Sequence, residues 1–262
     1  MFPVKRSDPP PLDLETFSRS LRQACRKVLG ELPDDLAGSV SSGILSSVSS
    51  GTATVSREAH LSGTTLSHLY AHYLELRRWN RRLSLIGPGT LEEVLERHYA
   101  ESLAGLLLLP PPRSEDAASE GSLVDLGSGA GFPGWILGAV RPDLATVLVE
   151  ARERKGVFLQ SATRKARARS PETALPIRVL NARVGIPLPG ELPEQIDAIT
   201  TRALKLEPLW LEALSRRLTP AGRILLWLGE EVPPLPRGLV PAREIALTGS
   251  ERRRILEVAT SR

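Results

Sequence analysis

Apolar side chains at Leu14, Phe17, Leu21, Cys25, Val28 and Leu29 recur three and four residues apart, the spacing that gives a helix one buried face. The same period returns at Leu66, Leu69, Tyr73 and Leu76. It runs on to Arg82, predicting a second helix that stops before Gly87-Pro88-Gly89. A third helix is predicted from about Leu91 to Leu109, closed by Pro110-Pro111-Pro112. Eight serines lie between Ser39 and Ser56 among few large side chains. Such a stretch buries too little to offset its chain entropy, so residues 30–60 read as an insert or linker.

Beyond a polar bridge, Arg113 to Gly121, the texture changes to short apolar runs alternating with longer amphipathic ones. Leu123–Leu126, Ala145–Val149, Ile177–Leu180, Ile196–Ile199 and Arg223–Leu228 read as strands. Between most of them lie helix candidates, Pro133–Val140, Arg152–Arg169 and Leu206–Leu218, the last closed by Pro220-Ala221-Gly222. Alternation of this kind predicts a doubly wound α/β domain with a mostly parallel sheet. Glu244–Leu247 and Arg254–Val258 follow without a helix between them and predict a closing antiparallel hairpin. The expected organisation is a segment 1–60 with one helix and the Ser-rich insert, a helical layer 61–112, and the α/β domain 113–262.

Composition adds limits. Of 262 residues 41% are hydrophobic, which excludes wholesale disorder, and no apolar run approaches a membrane span or a signal peptide. A single cysteine, Cys25, excludes an internal disulfide and a cysteine-based zinc site, and a cytoplasmic address is expected. Lys and Arg outnumber Asp and Glu by 34 to 30, and 29 of the 34 are Arg. That mild excess fits a polyanionic partner, and equally a genome rich in Arg codons.

The most informative segment is Asp125-Leu-Gly127-Ser128-Gly129-Ala-Gly131-Phe132-Pro133-Gly134, between the first predicted strand and the helix after it. Ligands of open parallel sheets bind at the carboxyl ends of strands, where glycines let them approach the backbone. Glu150, at the tip of the second strand, is placed to accept hydrogen bonds from the two hydroxyls of a ribose. A dinucleotide fingerprint requires its third glycine at position 132, which is Phe132. The preceding Asp125 suits the cationic methionine moiety of S-adenosylmethionine better than a pyrophosphate. The spacing therefore favours S-adenosylmethionine over NAD, with a turn chosen only for tight packing as the bland alternative.

At this point the chain resembles the bacterial small-subunit rRNA guanine-N7 methyltransferases, the RsmG or GidB family, over about residues 62–262. Trp79-Asn80 with Leu85 looks like that family's W-N-x-x-x-N-L, and Arg97-His98-Tyr99-Ala100-Glu101-Ser102 like its R-H-x-x-D-S. The run Asp125 to Gly134 looks like its D-x-G-x-G-x-G-x-P-G. Glu150, Arg154-Lys155 and Phe158-Leu159 follow in the family's order, as does Thr201-Arg202-Ala203. The resemblance implies a cytoplasmic, Rossmann-like class I S-adenosylmethionine-dependent methyltransferase that modifies N7 of guanine 527 in 16S rRNA, on naked rRNA or the small ribosomal subunit. It implies that Asp125, Gly127, Ser128, Gly129, Gly131, Phe132, Pro133 and Glu150 hold the cofactor, with Ala182 and Arg183 near the adenine. Arg202, Glu101, Arg97 and His98 would face the methyl donor or the RNA. Four departures stand out: Ser84 for Asn, Glu101 for Asp, Gly185 for Glu, and Leu228 for the Lys of L-K-G. The losses at Leu228 and Gly185 leave room for a catalytically silent RNA-binding relative, and a methyltransferase for a small molecule or protein is the other rival.

Guanine N7 bears no proton, so its methylation needs alignment rather than a general base. Glu101 or Asp125 could offset the cationic product, and Arg202 could orient RNA or cofactor, or serve only as a salt-bridge partner. Arginine clusters at Arg77, Arg78, Arg81 and Arg82, at Arg164, Lys165, Arg167 and Arg169, and at Arg252, Arg253 and Arg254 are RNA-binding candidates, the first two favoured because their charges recur within one or two helical turns. Arg78, Arg81, Arg82, Arg164 and Lys165, with Arg154 and Lys155, are the residues assigned. His68 and His72 are four residues apart but lack the Glu of H-E-x-x-H and a third ligand, so no metal is expected. Trp79 reads as a core anchor and Asn80 as a tie to the adjacent loop. A monomer is expected.

Overall fold

The structure is a computed structural model that describes residues 12–29, 61–111, 121–202, 204, 206–247 and 252–261. The Ser-rich insert, most of the polar bridge and Ala203 lie outside them.

Seven strands form one sheet in the order β3-β2-β1-β4-β5-β7-β6. They are β1 (Gly121–Leu126), β2 (Leu144–Val149), β3 (Ile177–Leu180), β4 (Ile196–Arg202), β5 (Leu218–Leu228), β6 (Leu239–Ala246) and β7 (Arg254–Thr260). The first five run parallel and β7 pairs antiparallel with both β5 and β6, so the expected hairpin inserts β7 between its partners. Successive residues of a strand face opposite sides. Leu123, Leu225 and Trp227 accordingly enter one core, and Val124, Leu126, Ile224 and Leu226 the other. Both faces are covered, which is why these strands read as apolar runs rather than as alternation.

The first core lies under α1 (Leu14–Leu29), α2 (Gly63–Leu83), α5 (Gly134–Val140) and α6 (Glu153–Arg169), and the second under α7 (Pro208–Ser215). Phe17 of α1 packs its ring 5.2 Å from Tyr73 and 5.8 Å from Tyr99. The N-terminal helix therefore belongs to the same core as the helical layer, and that core continues into the sheet through Leu123 and Trp135. Contacts between Arg169 and Ser67, Ser161 and Glu75, and Phe158 and Trp79 show α2 and α6 running antiparallel. The indole N–H of Trp79 donates to Glu75 at 2.9 Å, and the Asn80 side chain accepts from the Ile86 amide at 2.9 Å. Both residues thus play the parts the sequence suggests. Ser84, which ends α2, is left-handed at φ 47°, a conformation Asn adopts more readily than Ser.

Two expectations are corrected. The helix predicted over Leu91–Leu109 is broken into α3 (Leu91–Val94), a π-helical segment Leu95–Ala100, α4 (Glu101–Leu103) and a 3-10 turn Ala104–Leu107. A π turn adds a residue to one loop of helix, which resets the directions of all side chains beyond it. The helix predicted over Leu206–Leu218 spans only Pro208–Ser215. Leu218 and Pro220-Ala221-Gly222 instead open β5, because a register shift opposite Ile196 and Ala198 accommodates the proline.

Candidate functional site

The chain leaves β1 toward β2 on one side and returns from β3 to β4 on the other. The switch point is therefore the gap between β1 and β4, at the carboxyl ends of the strands. The segment 127–133 fills that gap. Gly127, Gly129 and Gly131 have φ of 71°, 53° and 87°, where a side chain is strained. A Cβ on Gly131 would lie 2.9 Å from His72 Nε2, whereas one on Gly129 would meet only Gly127 O at 3.7 Å and Lys155 Nζ at 3.9 Å. One side of the loop is thus pressed onto the helical layer and the other is open to a ligand.

Asp125 ends up fully buried beneath this loop. Parallel register sets it beside Thr200, whose hydroxyl donates to Oδ1 at 2.7 Å, while Oδ2 has no hydrogen-bond partner. Burial pushes its carboxyl up to about 6, against the pull of the Thr200 and Ser128 hydroxyls and the nearby Gly134 amide. Its place under the loop differs from the direct contact with a ligand that the sequence suggests. Ser128 is also buried and donates to the Asp125 carbonyl at 3.1 Å. Glu150 follows β2 and already accepts from the Gly129 amide through Oε2 and from the Arg152 amide through Oε1, each at 2.8 Å. Each oxygen keeps a lone pair for a ribose hydroxyl. Ala182, half-buried, and Arg183, exposed, follow β3 next to that edge.

The opposite wall comes from the π segment. The His98 ring stacks on Phe132 with centroids 5.0 Å apart, and burial together with Arg202 and Arg97 pushes it down to about 3. His98 is therefore neutral at physiological pH. Arg202, at the end of β4, donates to the Arg97 carbonyl at 2.7 Å and to Glu101 Oε2 at 3.0 Å. Glu101 is 2% exposed, and its other oxygen is held by Arg253. Burial raises the Glu101 carboxyl while Arg202, Arg253 and Arg97 oppose the rise. The Glu101 carbonyl accepts from the Trp227 indole at 2.8 Å. With both oxygens occupied, Glu101 acts on Arg202 rather than toward the cleft. Arg253, which the sequence offers only as one of a cluster of RNA-binding candidates, instead holds Glu101, because the antiparallel return of β7 brings it here from 152 positions away.

Among the RNA candidates, Arg78, Arg81 and Arg82 lie exposed at the end of α2, and Arg154, exposed, and Lys155, half-buried, at the start of α6. The antiparallel packing places these two groups side by side next to the loop. A groove of about 520 Å³ runs along this end of α2, lined among the described residues by Leu74, Arg77, Arg78, Trp79, Arg81 and Arg82. Lys155 leans over Gly129 and so reaches the loop itself. Arg164 and Lys165 are exposed ~15 Å further along α6 and stand apart from the cleft. No cluster of three metal-ligating side chains occurs among the described residues, and none of their helices is long and apolar enough to cross a membrane.

The open glycine backbone, the orphaned oxygen of Asp125 and the spare lone pairs of Glu150 fit a cationic nucleoside. Phe132, stacked on His98 where a dinucleotide site needs glycine, does not fit NAD. The family rRNA small subunit methyltransferase G (GidB) matches residues 65–233. The chain is 36% identical to a ribosomal RNA small subunit methyltransferase G from Paracoccus denitrificans, over 59% of this chain and 71% of that protein. It is 35% identical to one from Methylorubrum extorquens, over 71% of this chain and 86% of that protein. A solved structure of the antibiotic-resistance methyltransferase Kmr is similar at 20% identity, with a TM-score of 0.43 over 55% of this chain and 89% of that one. With a family match across more than half its length, and with the sheet order and glycine loop found here, the chain belongs to the rRNA small subunit methyltransferase G family, Rossmann-like enzymes that use S-adenosylmethionine.

Proposed function

We propose that the enzyme methylates N7 of a guanine in 16S rRNA, guanine 527 by family resemblance, in the cytoplasm and as a monomer. The observation that carries this reading is the lack of a competent base at the cleft. His98 is held near 3, Glu101 has both oxygens on arginines, and Asp125 lies buried under the loop. Glu150, the remaining carboxylate of the cleft, accepts from the Gly129 and Arg152 amides and is assigned to the ribose. Guanine N7 offers a lone pair and no proton, so it needs none. When bound, S-adenosylmethionine supplies an electrophilic methyl group. Gly127 to Gly131 would hold the donor along their open backbone, Glu150 its ribose, and Ala182 and Arg183 its adenine side.

The remaining task is to align N7, methyl carbon and sulfur. An arginine bidentate to O6 and N7 would occupy the nucleophile, so Arg202 and Arg97 are assigned to orienting RNA phosphate or O6. Arg202→Ala is expected to lower turnover roughly tenfold or more. The fold should persist, since Glu101 keeps Arg253. Turnover equal to wild type would take Arg202 out of the site. Affinity for a structured acceptor comes from Arg78, Arg81, Arg82, Arg154 and Lys155, and binding should weaken steeply with salt.

The deciding experiment incubates the purified protein with labelled S-adenosylmethionine and small subunits from cells lacking the enzyme, then maps the modified base. One N7-methylguanine at position 527 is the expected result. Label on another atom or another base would overturn the assignment, and label on protein or small molecules alone would favour the non-RNA rival.

A further inference from the structure

His72 of α2 is buried, and both of its ring nitrogens are engaged by distant parts of the chain. Nδ1 lies 2.8 Å from the Tyr99 hydroxyl of the π segment, and Nε2 lies 2.9 Å from the Ala130 carbonyl of the glycine loop. A carbonyl can only accept, so Nε2 carries the ring proton, and Nδ1 accepts from Tyr99. The Tyr99 phenol is fully buried and held well above its ordinary range, so it stays a donor. Around the imidazole stand Phe132, Trp135 and Phe158, with centroids 5.3, 4.6 and 5.7 Å away.

The bond to Ala130 falls on a critical peptide unit. Its carbonyl end is fixed by His72, and its amide end, Gly131 N–H, donates to the Ser128 carbonyl at 2.6 Å. Clamping both ends sets the plane of the peptide between two left-handed glycines, where the backbone has the most freedom to lose. The close approach of Gly131 to the ring, 2.9 Å from a notional Cβ, shows the loop seated on the imidazole itself.

We propose that His72 is a positioning residue for the methyl donor: with Tyr99 behind it, it holds the 130–131 peptide in the shape that binds the cofactor, so that donor affinity is set partly from the helical layer. Preorganising a loop in this way raises affinity by removing the ordering cost from the binding step. The inference rests on the placement of the donor at the glycine loop.

The test uses the full chain. His72→Phe keeps a ring among the aromatic neighbours but removes both hydrogen bonds; Tyr99→Phe removes only the phenol that holds the tautomer. Titration calorimetry with S-adenosylmethionine is expected to give a dissociation constant roughly tenfold higher for His72→Phe, the equivalent of about one hydrogen bond. For Tyr99→Phe the expected rise is roughly threefold, since one partner is lost at one remove. The KM for small subunits should stay within about twofold of wild type in both. In the wild type, ¹⁵N spectra should show a neutral His72 protonated at Nε2. Donor affinities within about twofold of wild type despite a lowered Tm would show a role in packing alone and overturn the proposal, as would an Nδ1-protonated ring. Should His72→Phe not fold, Tyr99→Phe and the tautomer still decide. Glu150→Ala separates the two readings. If it binds the donor as well as wild type, the loop is not the donor site and the inference goes with it. If it loses the donor while the His72 and Tyr99 variants do not, the inference alone fails.

Discussion

Replacing Gly134 by alanine should unfold the protein at a markedly lower temperature and remove its affinity for S-adenosylmethionine. A Cβ at position 134 would lie 2.1 Å from Asp125 Cβ and 2.4 Å from its Cγ. The Cβ of Asp125 is fixed to the backbone of β1, so no change of rotamer relieves the overlap. Either the start of α5 or the end of β1 must move, and the glycine loop is strung between them. Overpacking of this kind costs about 3 kcal/mol or more. For a chain of this size that corresponds to a fall in Tm of roughly 6–12 °C, read by scanning calorimetry. Asp125→Ala in the same chain should give no recovery, because it keeps the offending Cβ. Gly185→Ala is the control: nothing lies within 4 Å of its notional Cβ, and its effect should stay within about 0.5 kcal/mol. A Gly134→Ala protein with wild-type Tm and donor affinity would show that the approach of α5 to β1 is not what shapes the pocket.

Gly134 also marks where sequence patterns speak clearly. Glycines, Asp125 and Glu150 announce a ligand loop by local spacing, and the parallel sheet follows from strands buried on both faces. What was illegible depends on contacts between distant positions. His72 reads locally as half of an i, i+4 histidine pair. Its real partners are Tyr99 and Ala130, 27 and 58 residues away, and no periodicity points to them. The Arg97-His98 pair lies on a π turn inside a run with no helix breaker, so propensity hides the extra residue that aims His98 at Phe132. Arg253 looks like one of three consecutive surface arginines. Only the insertion of β7 beside β5 carries it to Glu101. The proline at the start of β5 misled for a related reason, since a strand tolerates it where the register shifts.

The same crowded corner predicts an unusual dependence of stability on pH. Without a ligand, the Asp125 carboxyl titrates near 6 in the fold against 3.8 when free, because no water reaches it and Oδ2 is unpaired. Between those two values the folded state holds a proton that the unfolded chain has released. The contribution of Asp125 to stability is therefore fully present below 3.8 and is lost as the pH rises to about 6. Two pKa units correspond to a loss on the order of 3 kcal/mol. His72 and His98, pushed down to about 4 and 3, act in the opposite direction, gaining stability as the pH rises toward 6.5. Their effect cancels when wild type is compared with Asp125→Asn. Asparagine can turn its carbonyl toward Gly134 and its amide toward Thr200, whose hydroxyl accepts as readily as it donates. Urea unfolding at a series of pH values should show the stability of wild type relative to Asp125→Asn falling from pH 4 to 6 and level above. At neutral pH the variant without ligand is then the more stable protein, yet it should bind the sulfonium donor more weakly, having given up the buried negative charge that attracts it. A difference flat across that range would mean that the carboxylate is hydrated or paired in solution. A variant that binds the donor as tightly as wild type would mean that its charge serves the loop alone.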